Sequence, residues 1–317
     1  MPSHKHILFS ILAILLIVLI PLSVNHYKEN ISSWLQPDTL NTLPSFSKIP
    51  VVYHRVDHDI RIKDYFDYLQ GVASMADSSL HLDEYVLAHV NPWIMDSLKA
   101  TDYYERMKRN IFLYDQPVHI ILHAGDSILL PDSLAAASIH AKLASTWIDV
   151  NIPEFKLRLM QGGDTILICP VRVGRNKEEY LEVAKHVVNL RTPVGEGEII
   201  RIAHLPYIVN PETGKKYERT CRDDGRYTKM PVIPWLEPSI NGIRYGTLIH
   251  PTSNPNTLGQ PFSHGCIGTS ETDAWTIYFN SPIGTRVTFR YDLRVINEQG
   301  DSVVLKDIYD FKKPKRK

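Results

Sequence analysis

The residues best suited to covalent chemistry in this chain crowd into one stretch. Ile249-His250-Pro251 is followed closely by Ser263-His264-Gly265-Cys266-Ile267-Gly268-Thr269-Ser270. A thiol with an ordinary pKa of about 8.5 is only a few per cent thiolate at neutral pH, so a cysteine nucleophile needs a neighbour that takes its proton. His264 stands two positions before Cys266, and His250 sits further upstream at the predicted end of a strand. Gly265 lets the backbone come close to a bound acyl group. Ser270-x-x-Asp273 has the form of a capping signal and predicts a helix just after Cys266, with its first N–H groups towards the thiolate and a developing oxyanion. Together these residues describe a Cys/His acyl-transfer site. Two other readings use the same residues. Cys266 is then a structural cysteine beside histidines, or His250, Cys266 and His264 hold zinc with Cys221. The His-x-Cys spacing lacks the wider ligand gap of structural zinc sites.

Strands have to position these groups. Past Ser145 the pattern turns to period two, through Trp147-Ile148-Asp149-Val150, Phe155-Lys156-Leu157-Arg158-Leu159 and Thr165-Ile166-Leu167-Ile168-Cys169, which predicts a β-meander. Further strands are expected at 198–203, 245–250 and 285–291, with one main helix at Glu271–Asn280. Between 205 and 241 the chain carries Pro206, Pro211, Pro231, Pro234 and Pro238 with Gly214 and Gly225. So long an irregular excursion is commonly a functional lid, and its return leg leads into His250, so it is expected to cover the thiol. Upstream, Asn91-Pro92 and Asp102-x-x-Glu105 signal helix starts, and Trp93, Tyr103 and Tyr104 read as packing residues. The predicted organisation is a membrane anchor or signal segment at 1–25 and a linker at 26–54. A small helical N-terminal domain with short strands follows at 55–145, then a catalytic domain at 146–292. A C-terminal extension at 293–317 ends in a basic tail.

Composition narrows the class. With 317 residues, 44% of them hydrophobic and 22% charged, the chain is globular rather than disordered or polytopic. Its 35 basic residues balance 35 acidic ones, but five of the cations lie in the last six positions, leaving residues 1–311 at a formal −5. That charge argues against nucleic acid as a partner. Between residues 7 and 24 lie 18 uncharged residues, 15 of them apolar. This is long enough to cross a bilayer as a helix and longer than the usual apolar part of a signal peptide. The body is therefore expected to be exported, either anchored in the inner membrane facing the periplasm or secreted to the cell envelope. Three cysteines do not make a disulfide scaffold, although one Cys169–Cys221 bridge is compatible with export.

Ser263-His264-Gly265-Cys266-Ile267 with His250 upstream resembles the signature of the L,D-transpeptidases, cysteine enzymes of peptidoglycan cross-linking. Pro170-Val171-Arg172-Val173-Gly174-Arg175, Arg191-Thr192-Pro193-Val194-Gly195, Tyr245-Gly246-Thr247-Leu248-Ile249-His250 and Ile283-Gly284-Thr285-Arg286-Val287 follow in the order of that family. The resemblance covers about residues 146–292 and implies a mainly β, sandwich-like catalytic domain with one main helix. It implies Cys266 as nucleophile and His250 as base, oriented by the backbone carbonyl of Pro251. His264 and Gly265 would shape the nucleophile turn and oxyanion site, and Ser263 would hold the turn. Gly268 departs from the pattern, since many members carry Arg there, so Arg244, Tyr245 and Thr269 become the candidates for substrate binding. The implied reaction joins peptidoglycan stem peptides, as donor and acceptor, into 3–3 cross-links through an acyl-enzyme, with no metal or other cofactor. Two other functions share the site or the domain: an L,D-carboxypeptidase that trims tetrapeptide stems, and a non-catalytic wall-binding module.

Overall fold

A computed structural model of the chain describes residues 52–76 and 80–311. The expected membrane segment 1–25, most of the expected linker and the basic run at 312–317 lie outside the described residues. Among the described residues, no helix is long and apolar enough to cross a membrane.

The predicted meander is β1 (Thr146–Asn151), β2 (Lys156–Gln161) and β3 (Asp164–Pro170), each antiparallel to the next. Its alternation sets the faces: Leu157 and Leu159 enter the core, while Arg158 between them pairs with Glu154 at 2.6 Å. Five more strands join the same sheet: β4 (Gly195–Ala203), β5 (Trp235–Ile240), β6 (Ile249–Pro251), β7 (Ile267–Thr269) and β8 (Arg286–Arg290). The order across the sheet is β7-β6-β5-β4-β8-β1-β2-β3. β7 lies parallel to β6, and β8 parallel to β1. Where a sandwich predicts two sheets, the strands gather into one of eight, and the other described strands pair two by two. The strand expected at 245–250 starts later. Residues 241–246 are an exposed turn with positive φ at Asn241, Gly242 and Gly246, which leaves Tyr245 in solvent.

Helices cover the sheet. α1 (Ile62–Met75) buries Ile62, Tyr65, Phe66, Leu69 and Val72, the three-and-four spacing of one helix face. α2 (Glu84–Val90), α3 (Pro92–Lys99), α4 (Tyr103–Lys108) and α5 (Ser133–Ala144) follow, and α6 (Glu271–Asn280) returns from the sheet. Pro92 opens α3, as the sequence predicts. Asn91 does not cap that helix with its side chain but bonds the backbone of Leu87 and Leu129. Asp102 caps α4 through Tyr104 N and Glu105 N, and its other oxygen accepts from Thr272 N and Oγ1 at 2.9 Å. One carboxylate thus serves two helix starts. Rings from both parts of the chain meet in one core: Phe66 stacks on Trp275, and Tyr85 packs against Tyr278 at 5.4 Å.

Candidate active site

The sheet edge builds the site. In the parallel pairing of β6 with β7, His250 stands opposite Gly268, so Cys266, two residues earlier, enters β7 beside the strand that carries the imidazole. His250 Nδ1 donates to the Pro251 carbonyl at 2.8 Å. A carbonyl only accepts, so this bond fixes the proton on Nδ1 and leaves Nε2 with a free lone pair. Trp235 of β5 lies against the imidazole, ring centroids 4.7 Å apart. Burial, and then the positive charge of Arg172, lower the His250 pKa to about 4, against the opposing pull of the Pro251 carbonyl. Burial also raises the Cys266 thiol, opposed by a backbone hydrogen bond from Leu248 and by Arg172, and reinforced by Glu237. The surroundings thus favour the neutral form of both groups.

The turn before Cys266 is held at several atoms. Ser263 Oγ donates to the Cys266 carbonyl at 2.7 Å and accepts from Gly265 N at 3.2 Å. Gly265 has φ of +110°, a conformation that a side chain would strain. Its carbonyl accepts from Thr192 Oγ1 at 3.1 Å, while Thr192 N donates to the Tyr309 hydroxyl at 3.0 Å. Tyr309, from the segment read only as a C-terminal extension, is thus buried support for the turn before Cys266.

Residues 145–289 match the family model YkuD, the L,D-transpeptidase catalytic domain. Solved structures similar to the chain include an L,D-transpeptidase from Mycobacterium smegmatis, with 15% identity, 46% of this chain and 58% of that one covered, and a TM-score of 0.32. An L,D-transpeptidase from Mycobacterium tuberculosis aligns with 18% identity over 46% of this chain and 57% of that one, TM-score 0.30. One from Xylanimonas cellulosilytica aligns with 14% identity over 64% of this chain and 92% of that one, TM-score 0.34. The chain covers less than two thirds of the length of the first of these structures. No curated protein matches it.

Within the matched segment, the sheet edge and the turn bring His250, Pro251, Ser263, Gly265 and Cys266 together. His264 points elsewhere: its Nε2 meets Glu212 at 2.8 Å and Arg175 at 2.6 Å, so its ring ties the 205–241 excursion to the turn. Thr269, expected to bind substrate, is fully buried with its hydroxyl on the Ser270 carbonyl. Arg244 is exposed but held by buried Glu237, which also binds Arg201. Tyr245 lines an open cavity of about 570 Å³ with Arg191, Thr192, Tyr291 and Phe311.

The helix after Cys266 forms at the predicted residues, but its first N–H groups are taken. Thr272 N bonds Asp102 and Asp273 N bonds Ser270 Oγ, so they are not free for the thiolate. β7 separates the helix from Cys266. The residues weighed as zinc ligands are not gathered. Among the described residues, the grouped ligand atoms are those of Glu179, Glu212 and His264, with the Arg175 cation among them. All three cysteines are free, Cys169 buried in the core and Cys221 exposed. Sequence reasoning missed Trp235, Glu237, Thr192 and Arg172 as members of the site. Thr192 and Arg172 lie inside the quoted motifs, whereas Trp235 and Glu237 sit in a strand that the proline-rich excursion concealed.

Proposed function

We propose that this protein is a cysteine acyltransferase of the cell envelope that forms 3–3 cross-links in peptidoglycan. Cys266 attacks the carbonyl between an L-centred diamino acid and the terminal D-Ala of a tetrapeptide stem. His250 Nε2 takes the thiol proton and passes it to the departing D-Ala amine, which leaves a thioester. An amine of a second stem then attacks the thioester, gives up its proton to His250 and restores the thiol. The acceptor and donor are both stem peptides, and no step needs a metal. The observation that carries this reading is the His250–Pro251 hydrogen bond, which presents an unprotonated Nε2 on the strand paired with the one that Cys266 enters. Export to the envelope follows from that substrate and from the apolar segment near the start of the chain.

The test is mass spectrometry of the protein incubated with a disaccharide tetrapeptide. The expected result is a covalent adduct on Cys266 and a cross-linked dimer, both lost in Cys266→Ala, which keeps its fold because a partly exposed thiol adds little packing. Tripeptide without dimer would make water the acceptor. Product at the wild-type rate from folded Cys266→Ala would falsify the nucleophile.

A further inference from the structure

Gly268 stands in the middle of a row of three strands. On one side it pairs with His250 of β6, and on the other Arg172 forms an antiparallel bridge with it, Arg172 N donating to Gly268 O at 2.9 Å and Gly268 N to Arg172 O at 3.0 Å. Side chains of residues paired across strands project to the same face, so Arg172, Gly268 and His250 share one face, with no side chain at the centre. Arg172 uses that gap. A Cβ on Gly268 would lie 2.6 Å from both Cγ and Nε of Arg172 and 3.0 Å from its Cδ, so the arginine stem runs over the glycine where any other residue would block it.

The guanidinium laid there is poorly satisfied. Nε is buried without a hydrogen-bond partner, and the hydrogen bond from Nη1, to Thr257 Oγ1, is long at 3.4 Å. Among the described residues Arg172 makes no ion pair, although a partly buried cation ordinarily finds one. The charged and titratable groups whose fields meet here are Cys266 and Asp223, which act on Arg172, Arg172 and Glu237, which act on Cys266, and Arg172, which acts on His250.

We infer that Arg172 is a positioning residue of the Cys266–His250 pair: its guanidinium, admitted by Gly268, holds the imidazole neutral and stabilises the negative sulfur formed as the thiol loses its proton. The sequence departure at Gly268 and the unpaired cation then have one cause. The charge reaches the site from the strand end after β3 rather than from the residue that follows Ile267. Its effect on the two groups has opposite chemical consequences, since it favours the thiolate and disfavours the imidazolium. Because the imidazole already titrates far below the thiol, removing the cation does not create a thiolate–imidazolium pair, and the net result is a less acidic thiol.

The inference rests on Cys266 as nucleophile, but its readout needs no substrate: the pH dependence of Cys266 alkylation by iodoacetamide, followed on the Cys266 peptide so that Cys221 does not contribute. Arg172→Met keeps the stem over Gly268 and removes the charge, and Arg172→Lys keeps both. In Arg172→Met the profile is expected to move up by about one pH unit, so the rate below its midpoint falls roughly tenfold, while Arg172→Lys stays near wild type. A folded Arg172→Met protein with the wild-type profile would overturn the inference, as would an Arg172→Lys protein as slow as Arg172→Met. Should Arg172→Met fail to fold, Gly268→Ala displaces the guanidinium and is expected to give the same upward shift, and an unshifted profile there overturns it equally. Loss of cross-linking with an unchanged alkylation profile would count against Arg172 while leaving the acyl-transfer reading intact.

Discussion

At the scale of single residues, the site depends on one imidazole kept neutral by its surroundings. His250 titrates near pH 4 in the folded chain because burial and then Arg172 disfavour its charged form, and an unfolded histidine titrates near its ordinary value of about 6.5. Acylation of Cys266 should therefore keep its general base down to about pH 4. The acid limb of its pH–rate profile is expected there, and a limb near 6.5 would show that the imidazole is not so shielded. The same shift has a stability consequence. Between about pH 4 and 6.5 the unfolded chain binds a proton at this position that the native chain does not, so native stability falls as pH drops through that window. Urea unfolding at pH 7 and pH 5 should show this loss in wild type and a smaller one in His250→Gln. Cys266 and His250 stand out in the sequence because their types and neighbours suggest a chemistry, and the fold sets the strand of one beside the strand that the other enters. Arg172 does not, since the role proposed for it depends on a bridge to Gly268 and the two are remote in sequence.

At the scale of elements, local signals predicted well and long-range ones did not. The helix Glu271–Asn280 and the caps at Asp102 and Ser270 follow from side chains that bond backbone a few residues away. The excursion between 205 and 241 is less simple than its prolines suggest. It contains a hairpin, Arg219–Cys221 with Tyr227–Lys229, and Arg222 between these strands is buried against Glu271 with its guanidinium over the Tyr103 ring. Neither partner is near Arg222 in sequence, so composition alone made the whole stretch look free. The centre is pinned, and the part suited to act as a cover is the earlier arm, where Leu205, Tyr207 and Tyr217 are exposed and Glu212 reaches His264. The hydrogen bond from His264 holds the Glu212 carboxyl below its ordinary range. Replacing residues 207–216 with a short Gly/Ser link should leave the acyl-enzyme intact and shift products from cross-linked dimer towards tripeptide, because a cover excludes water from the thioester. An unchanged ratio of dimer to tripeptide would show that this arm does not cover the site.

At the scale of the whole molecule, the helical part and the eight-stranded sheet depend on the same core. α6 carries Trp275, Tyr278 and Phe279, all fully buried, and Phe66 of α1 and Tyr85 of α2 form part of their cover. Polar ties run the same way: Asp102 caps α4 and binds the start of α6, Tyr103 N donates to Glu271, and the Tyr104 hydroxyl donates to Ser253 O. Residues 52–311 accordingly fall within one compact unit. The boundary expected near 145, where the hydrophobic period changes, coincides with the start of the family match at residue 145, while the core runs across it. Each large ring exposed by removing α1–α5 costs roughly 2–3 kcal/mol of lost burial, and Arg222 would lose the Tyr103 ring beneath it. Several such losses together approach the whole stability of an ordinary domain, about 5–15 kcal/mol. A chain of residues 146–311 is therefore expected to bind a hydrophobic dye and to lack a cooperative urea transition, while residues 52–311 unfold in one step. Cooperative unfolding of 146–311 at the midpoint of the longer chain would show instead that the catalytic segment stands alone and that the helices only rest upon it.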